Sequence, residues 1–210
     1  MPADRAPSVL ITGIHSDLGF AVSHAFRREG WFVVGSDQGT TAGRNARAHV
    51  SADLTDEDEC RRVVKRTATL GNGIDCVVSC AQVHLDGPVE ETGSRAWDVM
   101  MDVNAKSVFL LATAAMPYLE RTQGTFVVIG PGGGDDTAEH AVFEASRGAV
   151  RALAGALADE LVPHRIRVTM IDAGGDTEGS ALTPDEVAER VWAFAGFDVD
   201  GHELSFAHAH

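Results

Sequence analysis

Val9-Leu10-Ile11-Thr12 runs straight into Gly13, and a helical apolar stripe follows at once. Leu18, Ala21, Val22, Ala25 and Phe26 fall at i, i+3, i+4, i+7 and i+8, the spacing of one buried helix face. Few folds accept a buried strand, a glycine turn and an amphipathic helix in immediate succession. The helix N-terminus in such a unit presents unpaired N–H groups and a partial positive charge, and glycine lets the backbone approach a phosphate. A dinucleotide pyrophosphate is the expected ligand of such a turn.

The rest of the chain repeats the alternation. Helix one is expected over Asp17–Glu29, stopped by Gly30 as a C-terminal glycine. Strand-like runs follow at Trp31–Ser36, ending at Asp37, and at His49–Ser51, leading to Asp53-Leu54. Thr55-Asp56-Glu57-Asp58 starts a second helix with Thr55 as its cap and acids in its first turn. Further strands are expected at Ile74–Ser79, Thr125–Ile129, Arg167–Ile171 and Glu203–Phe206. Helices are expected at Ser94–Arg121, Ala141–Leu161 and from Pro184 to about Ala195, the last with a Thr183/Glu186 capping box.

The strands are continuous apolar runs, which indicates a parallel sheet covered on both faces. The expected fold is a single Rossmann-like, doubly wound α/β domain over residues 1–210, with about seven strands and helices on both faces. Ligands of such sheets bind beyond the carboxyl ends of the strands, so the turns after the strands are where function is sought.

Bulk properties narrow the partners. No run of 18 apolar residues exists, so no membrane span is expected. A net charge of −14 repels a phosphate backbone and argues against nucleic acid. Cys60, Cys76 and Cys80 form neither a disulfide framework nor a zinc spacing; the expected compartment is the cytoplasm, and no metal site is expected.

On these turns the chain resembles the short-chain dehydrogenase/reductase family. Thr12-Gly13-Ile14-His15-Ser16-Asp17-Leu18-Gly19 is similar to the family's Thr-Gly-x-x-x-Gly-x-Gly, with Asp17 in place of the middle glycine. The resemblance implies that Gly13, His15, Ser16, Asp17 and Leu18 hold the pyrophosphate end of the cofactor. Asp37, 24 residues after Gly13, takes the position of the acid that binds ribose hydroxyls and disfavours a 2′-phosphate. It therefore implies NAD rather than NADP. Asp53-Leu54 resembles the pair that contacts adenine, and Ser79-Cys80-Ala81-Gln82 keeps only Ala81 of the family's Asn-Asn-Ala-Gly. Ala173-Gly174 resembles the later Pro-Gly run, placing Gly174 at the cofactor. An anion at Asp17 works against a pyrophosphate, while as a first-turn acid it stabilises the helix dipole. Asp37 and Asp53 are also readable as ordinary strand-end acids.

The catalytic positions depart from the family's Ser, Tyr and Lys. The Tyr-x-x-x-Lys frame reads Phe143-Glu144-Ala145-Ser146-Arg147, and the serine position, 13 residues upstream, falls on Gly130. Phe143 has no proton to give and Gly130 has no donor. General-acid help contributes roughly 10²–10⁴ in rate and an oxyanion donor roughly 10²–10³, so family-type hydride transfer should be crippled. Arg147 can bind ribose hydroxyls but cannot relay protons. Asn104 alone survives of the extended tetrad, where it bends the helix as a structural residue first. His140, one helical turn before Phe143, is the candidate relocated acid.

Three functions stay open. The first is an atypical NAD(H)-binding oxidoreductase-like protein with an unidentified small-molecule substrate. The second is a non-catalytic nucleotide-binding or scaffold protein; the third is a non-redox isomerase or lyase in the same cleft. The family's long helix and small-residue helix often form a subunit interface, so a homo-oligomer is expected, with Ala145, Ala149, Ala152, Gly155 and Ala156 permitting close approach.

Overall fold

The structure, a computed structural model, describes residues 5–39, 45–130, 141–173 and 182–195. Among these residues six parallel strands form one sheet: β1 (Ser8–Thr12), β2 (Phe32–Asp37), β3 (Ala48–Ser51), β4 (Cys76–Ser79), β5 (Thr125–Gly130) and β6 (Arg167–Asp172). Their order is β3-β2-β1-β4-β5-β6. The sheet is Rossmann-like, and its order reverses between β1 and β4, which opens a crevice at their carboxyl ends. The strand expected at Glu203–Phe206 lies outside the described residues.

The helices are α1 (Asp17–Arg28), α2 (Glu57–Gly71), α3 (Ser94–Met100), α4 (Ser107–Thr122), α5 (Ala141–Glu160) and α6 (Pro184–Ala195). Alternation along the strands sends side chains to two cores. Leu10, Val34, Val77 and Phe126 pack with Val64, Leu111 and Val150 of α2, α4 and α5. Val9, Ile11, Val33 and Val127 pack with Val22 and Phe26 of α1 and Val191 of α6. Phe26, Trp31 and Trp192 close the second core edge-to-face, with centroids 4.9–6.0 Å apart. A strand buried on both faces has no polar side to alternate, which is why these runs read as continuously apolar.

Two local expectations change. Helix α2 is capped by Asp56, whose carboxylate accepts from the Glu59 N–H at 2.9 Å. The Thr55 hydroxyl instead donates to Asp53 at 2.7 Å. The helix expected over Ser94–Arg121 is not one regular helix, because a π turn, Met101–Lys106, separates α3 from α4. The stretch Ser94–Thr122 is long and apolar enough to cross a membrane by length and composition alone. Its Val108, Leu111, Ala115 and Leu119 are nonetheless buried against the sheet, as in the core helix of a globular fold. The Thr183/Glu186 capping box forms as expected, with Thr183 N–H donating to Glu186 at 2.8 Å.

Candidate functional site

The crevice is floored by the turn between β1 and α1. Gly13 has φ +62°, a left-handed conformation that favours glycine, and its N–H donates to the Ser36 carbonyl at 2.8 Å. Ser16 caps α1: its Oγ accepts from the Gly19 N–H at 3.0 Å and donates to the Gly13 carbonyl at 2.8 Å. A Cβ on Gly19 would sit 2.2 Å from the Gly13 oxygen, so only glycine lets the helix start this close to the turn. Thr12 Oγ1 accepts from the N–H groups of Cys80 and Ala81 at 3.1 and 3.2 Å, which ties the ends of β1 and β4 together.

A cavity of about 300 Å³ opens above this floor. Gly13, His15, Ser16, Asp37, Asp53, Leu54 and Ala81 all line it. Four segments remote in sequence thus converge where the resemblance places the adenosine and pyrophosphate of a dinucleotide. Asp17 and Leu18 belong to the first turn of α1 and are not among the lining residues. Gly174 lies outside the described residues.

Asp37 ends β2 and is engaged on both oxygens. Its Oδ2 meets His15 Nδ1, and its Oδ1 accepts from the Gly39 N–H at 2.7 Å and faces His49 Nε2 at 3.1 Å. Burial pushes its carboxyl up, but the hydrogen bonds from His15, Gly39 and His49 together hold it below the usual carboxylate range. Asp53 accepts from the Thr55 N–H at 3.0 Å as well as from its hydroxyl; these bonds hold its carboxyl low against a smaller opposing effect of burial.

At the positions that match the family's catalytic residues, Phe143 and Arg147 are engaged by neighbouring side chains. Phe143 is buried, and the His84 ring stacks on it with centroids 3.9 Å apart and planes 18° from parallel. His84 Nε2 pairs with Asp86 Oδ1 at 3.0 Å. Arg147 reaches Glu144 at 2.8 Å and Asp172 at 3.5 Å, and Arg151 reaches the same Asp172 oxygen at 2.7 Å. Asn104 sits in the π turn and is buried. Its Oδ1 accepts from the Val83 N–H at 2.7 Å, while Nδ2 donates to the Val83 carbonyl at 2.9 Å and to Ser146 Oγ at 3.0 Å. The side chain therefore pins the loop after β4 to α5. His140 lies outside the described residues.

Two residues were missed by sequence reasoning. His49 reaches Asp37 only through the parallel pairing of β2 and β3, in which Asp37 stands opposite Ser51 and His49 shares the face of Ser51. Strand parity carried that signal, but the register did not exist in the sequence. His84 lies in the loop after β4, where no periodicity placed it over Phe143.

Comparison with known proteins gives the family and the fold. The chain is 29% identical over 203 residues to an uncharacterised oxidoreductase of Staphylococcus saprophyticus, covering 86% of this chain and 87% of that one. It is 29% identical over 174 residues to L-fucose dehydrogenase of Mus musculus, covering 79% of this chain and 64% of that enzyme. In fold it is similar to the crystal structure of a 3-ketoacyl-(acyl-carrier-protein) reductase from Brucella melitensis complexed with NADH. The TM-score there is 0.80 and the identity 24%, with 91% of each chain covered. It is likewise similar to an NADH-dependent reductase complexed with NAD, at TM-score 0.79 and 23% identity, covering 91% of this chain and 89% of that one. Residues 7–186 match the short chain dehydrogenase family, and the chain belongs to that family.

Proposed function

We propose that the chain is a single NAD(H)-binding domain in which the family's hydride transfer between carbonyl and alcohol is crippled. The observation that carries the cofactor half is Asp37, a carboxylate held ionised on the wall of the cavity beside the Gly13 turn. A carboxylate there accepts hydrogen bonds from ribose hydroxyls and repels a 2′-phosphate, which favours NAD over NADP. That similar folds are complexed with NADH and NAD supports a dinucleotide as the ligand. Leu54 and Ala81 supply apolar wall for an adenine.

The catalytic half rests on Gly130, Phe143 and Arg147. With no hydroxyl at the first two positions, a carbonyl oxygen gains neither the proton nor the hydrogen bond that stabilises developing charge. Two imidazoles are candidates for a relocated acid: His140, from its place in sequence, and His84, from its stack on Phe143. A second function, a nucleotide-binding protein without turnover, is favoured by the ion pairs that already engage Arg147. A homo-oligomer through α4 and α5 fits the exposure of Phe109 and the open space at Gly148 and Gly155. The three free cysteines are buried, which suits a reducing cytoplasm.

Calorimetric titration with NADH and, separately, NADPH tests the cofactor reading. NADH binding at least tenfold tighter than NADPH, with the preference lost in Asp37→Ala, is expected. Absence of binding to either at millimolar concentration overturns it.

A further inference from the structure

We propose that His15, Asp37 and His49 form a site for a divalent transition-metal ion of the zinc class, and that the ion and a dinucleotide ribose exclude one another there. The three side chains come from the β1–α1 turn, the end of β2 and the middle of β3. Their ligand atoms all lie within 4.8 Å of one another. His15 Nδ1 and His49 Nε2 each point at one oxygen of the same carboxylate, and the two rings stand edge-to-face with centroids 5.6 Å apart.

The donor chemistry and spacing fit. Zinc takes imidazole nitrogen and carboxylate oxygen at about 2.0–2.2 Å in a tetrahedral shell, which sets donors about 3.3–3.5 Å apart. His49 Nε2 already stands 3.1 Å from Asp37 Oδ1. The His49 side chain is 7% exposed and the Asp37 side chain 19%, so both are held by their surroundings. His15, 41% exposed, brings the third donor from the β1–α1 turn and already meets the second carboxylate oxygen. The Gly39 N–H fixes the carboxylate from outside, the kind of supporting bond that orients metal ligands. Three protein donors leave a fourth position, and His15 and Asp37 both line the cavity. Two imidazoles and one carboxylate suit zinc, nickel or cobalt better than calcium or magnesium, which prefer all-oxygen shells. The exclusion follows because Asp37 is the group the ribose hydroxyls would use.

The metal assignment stands on this geometry; only the exclusion rests on the NAD(H) reading. Zn²⁺ is titrated by calorimetry into the full chain and into His15→Ala and His49→Ala, and NADH is then titrated with and without saturating Zn²⁺. His202, His208 and His210 are present in all three proteins and cancel from the comparison. One equivalent of Zn²⁺ per chain, weakened about tenfold or more in both variants, is expected, with NADH affinity falling by a similar factor when Zn²⁺ is bound. The His15 variant truncates an exposed turn residue, so its loss of binding is not a loss of fold. Zinc binding unchanged in both variants, or no zinc binding, overturns the site. Zinc binding that leaves NADH affinity unchanged overturns the exclusion. Absence of NADH binding with the variant-sensitive zinc site intact refutes the cofactor reading and, with it, the exclusion.

Discussion

At the scale of single residues, the departures from the family pattern are coupled to what surrounds them. A Cβ on Gly130 would lie 2.2 Å from Met170 Cε, so the methionine tip occupies the space a serine there would need. That tip is the far end of a flexible, half-buried side chain that can swing aside, so Gly130→Ser should cost under about 1 kcal/mol. In a Met170→Ala background that cost should fall by about 0.5 kcal/mol. A urea double-mutant cycle measures the coupling, and simple additivity would mean the glycine and the methionine are independent. Asn104 makes the opposite case, a retained residue whose bonds are structural. Asn104→Ala strips the Val83 N–H and carbonyl of this partner and takes one donor from Ser146 Oγ, which keeps its bond to the Phe143 carbonyl. Leaving such partly buried groups unsatisfied costs about 1–3 kcal/mol, read as a lowered urea midpoint at unchanged m-value. Survival of Asn104 thus says more about the loop after β4 than about chemistry.

At the scale of elements, α1 carries a conflict between fold and ligand. Asp17 is the first residue of the helix and the acid of its first turn, where a negative charge stabilises by about 0.3–1 kcal/mol. The same charge opposes a pyrophosphate at that N-terminus. Asp17→Asn should lower stability by that amount and, by removing an anion that repels the pyrophosphate, tighten NADH binding roughly two- to fivefold. The gain should narrow at high salt, and unchanged NADH affinity would place the pyrophosphate away from the helix end. Elements were the most legible level of this sequence. Apolar strands, the Ser16–Gly19 start of α1 and the Thr183/Glu186 box are local patterns with local causes. The π turn at Met101–Lys106 was legible only through the resemblance, which gives Asn104 the bend of this helix; its bonds to Val83 are tertiary and leave no local pattern. The Asp56 cap was missed for a related reason: Thr55, the competing residue, is drawn off by Asp53. In the site, the Gly13 turn and Asp37 could be read from spacing, whereas His49 and His84 could not. One depends on strand register, the other on how a loop folds over α5.

At the scale of the whole molecule, the two ends of the sheet do different work. The carboxyl ends hold the cavity. The amino ends hold a charged clamp in which Asp75, 5% exposed, accepts from both Arg5 terminal nitrogens at 2.7 and 2.8 Å and from the Ser8 N–H at 2.7 Å. Its own backbone N–H donates to the Ser8 carbonyl, and its carbonyl accepts from the Thr125 N–H. The residue therefore joins the starts of β1, β4 and β5, three adjacent interior strands. Removing one partner of a buried pair leaves the other charge uncompensated and costs about 3–5 kcal/mol. For a domain of this size each kcal/mol lowers Tm by about 2–4 °C. Asp75→Ala should lower Tm by roughly 6–20 °C, provided the chain still folds at room temperature, as a melting curve shows. Because β1 runs from Ser8 at the clamp to Thr12 at the crevice, the lesion lies a full strand length, about 13 Å, from the ligand floor. NADH affinity below the melting transition should then stay within about twofold of wild type, since mutations more than about 10 Å apart with no shared partner act independently. A Tm drop accompanied by a parallel loss of NADH affinity would show that the sheet transmits strain from one end to the other, and that the division between a stabilising end and a binding end does not hold.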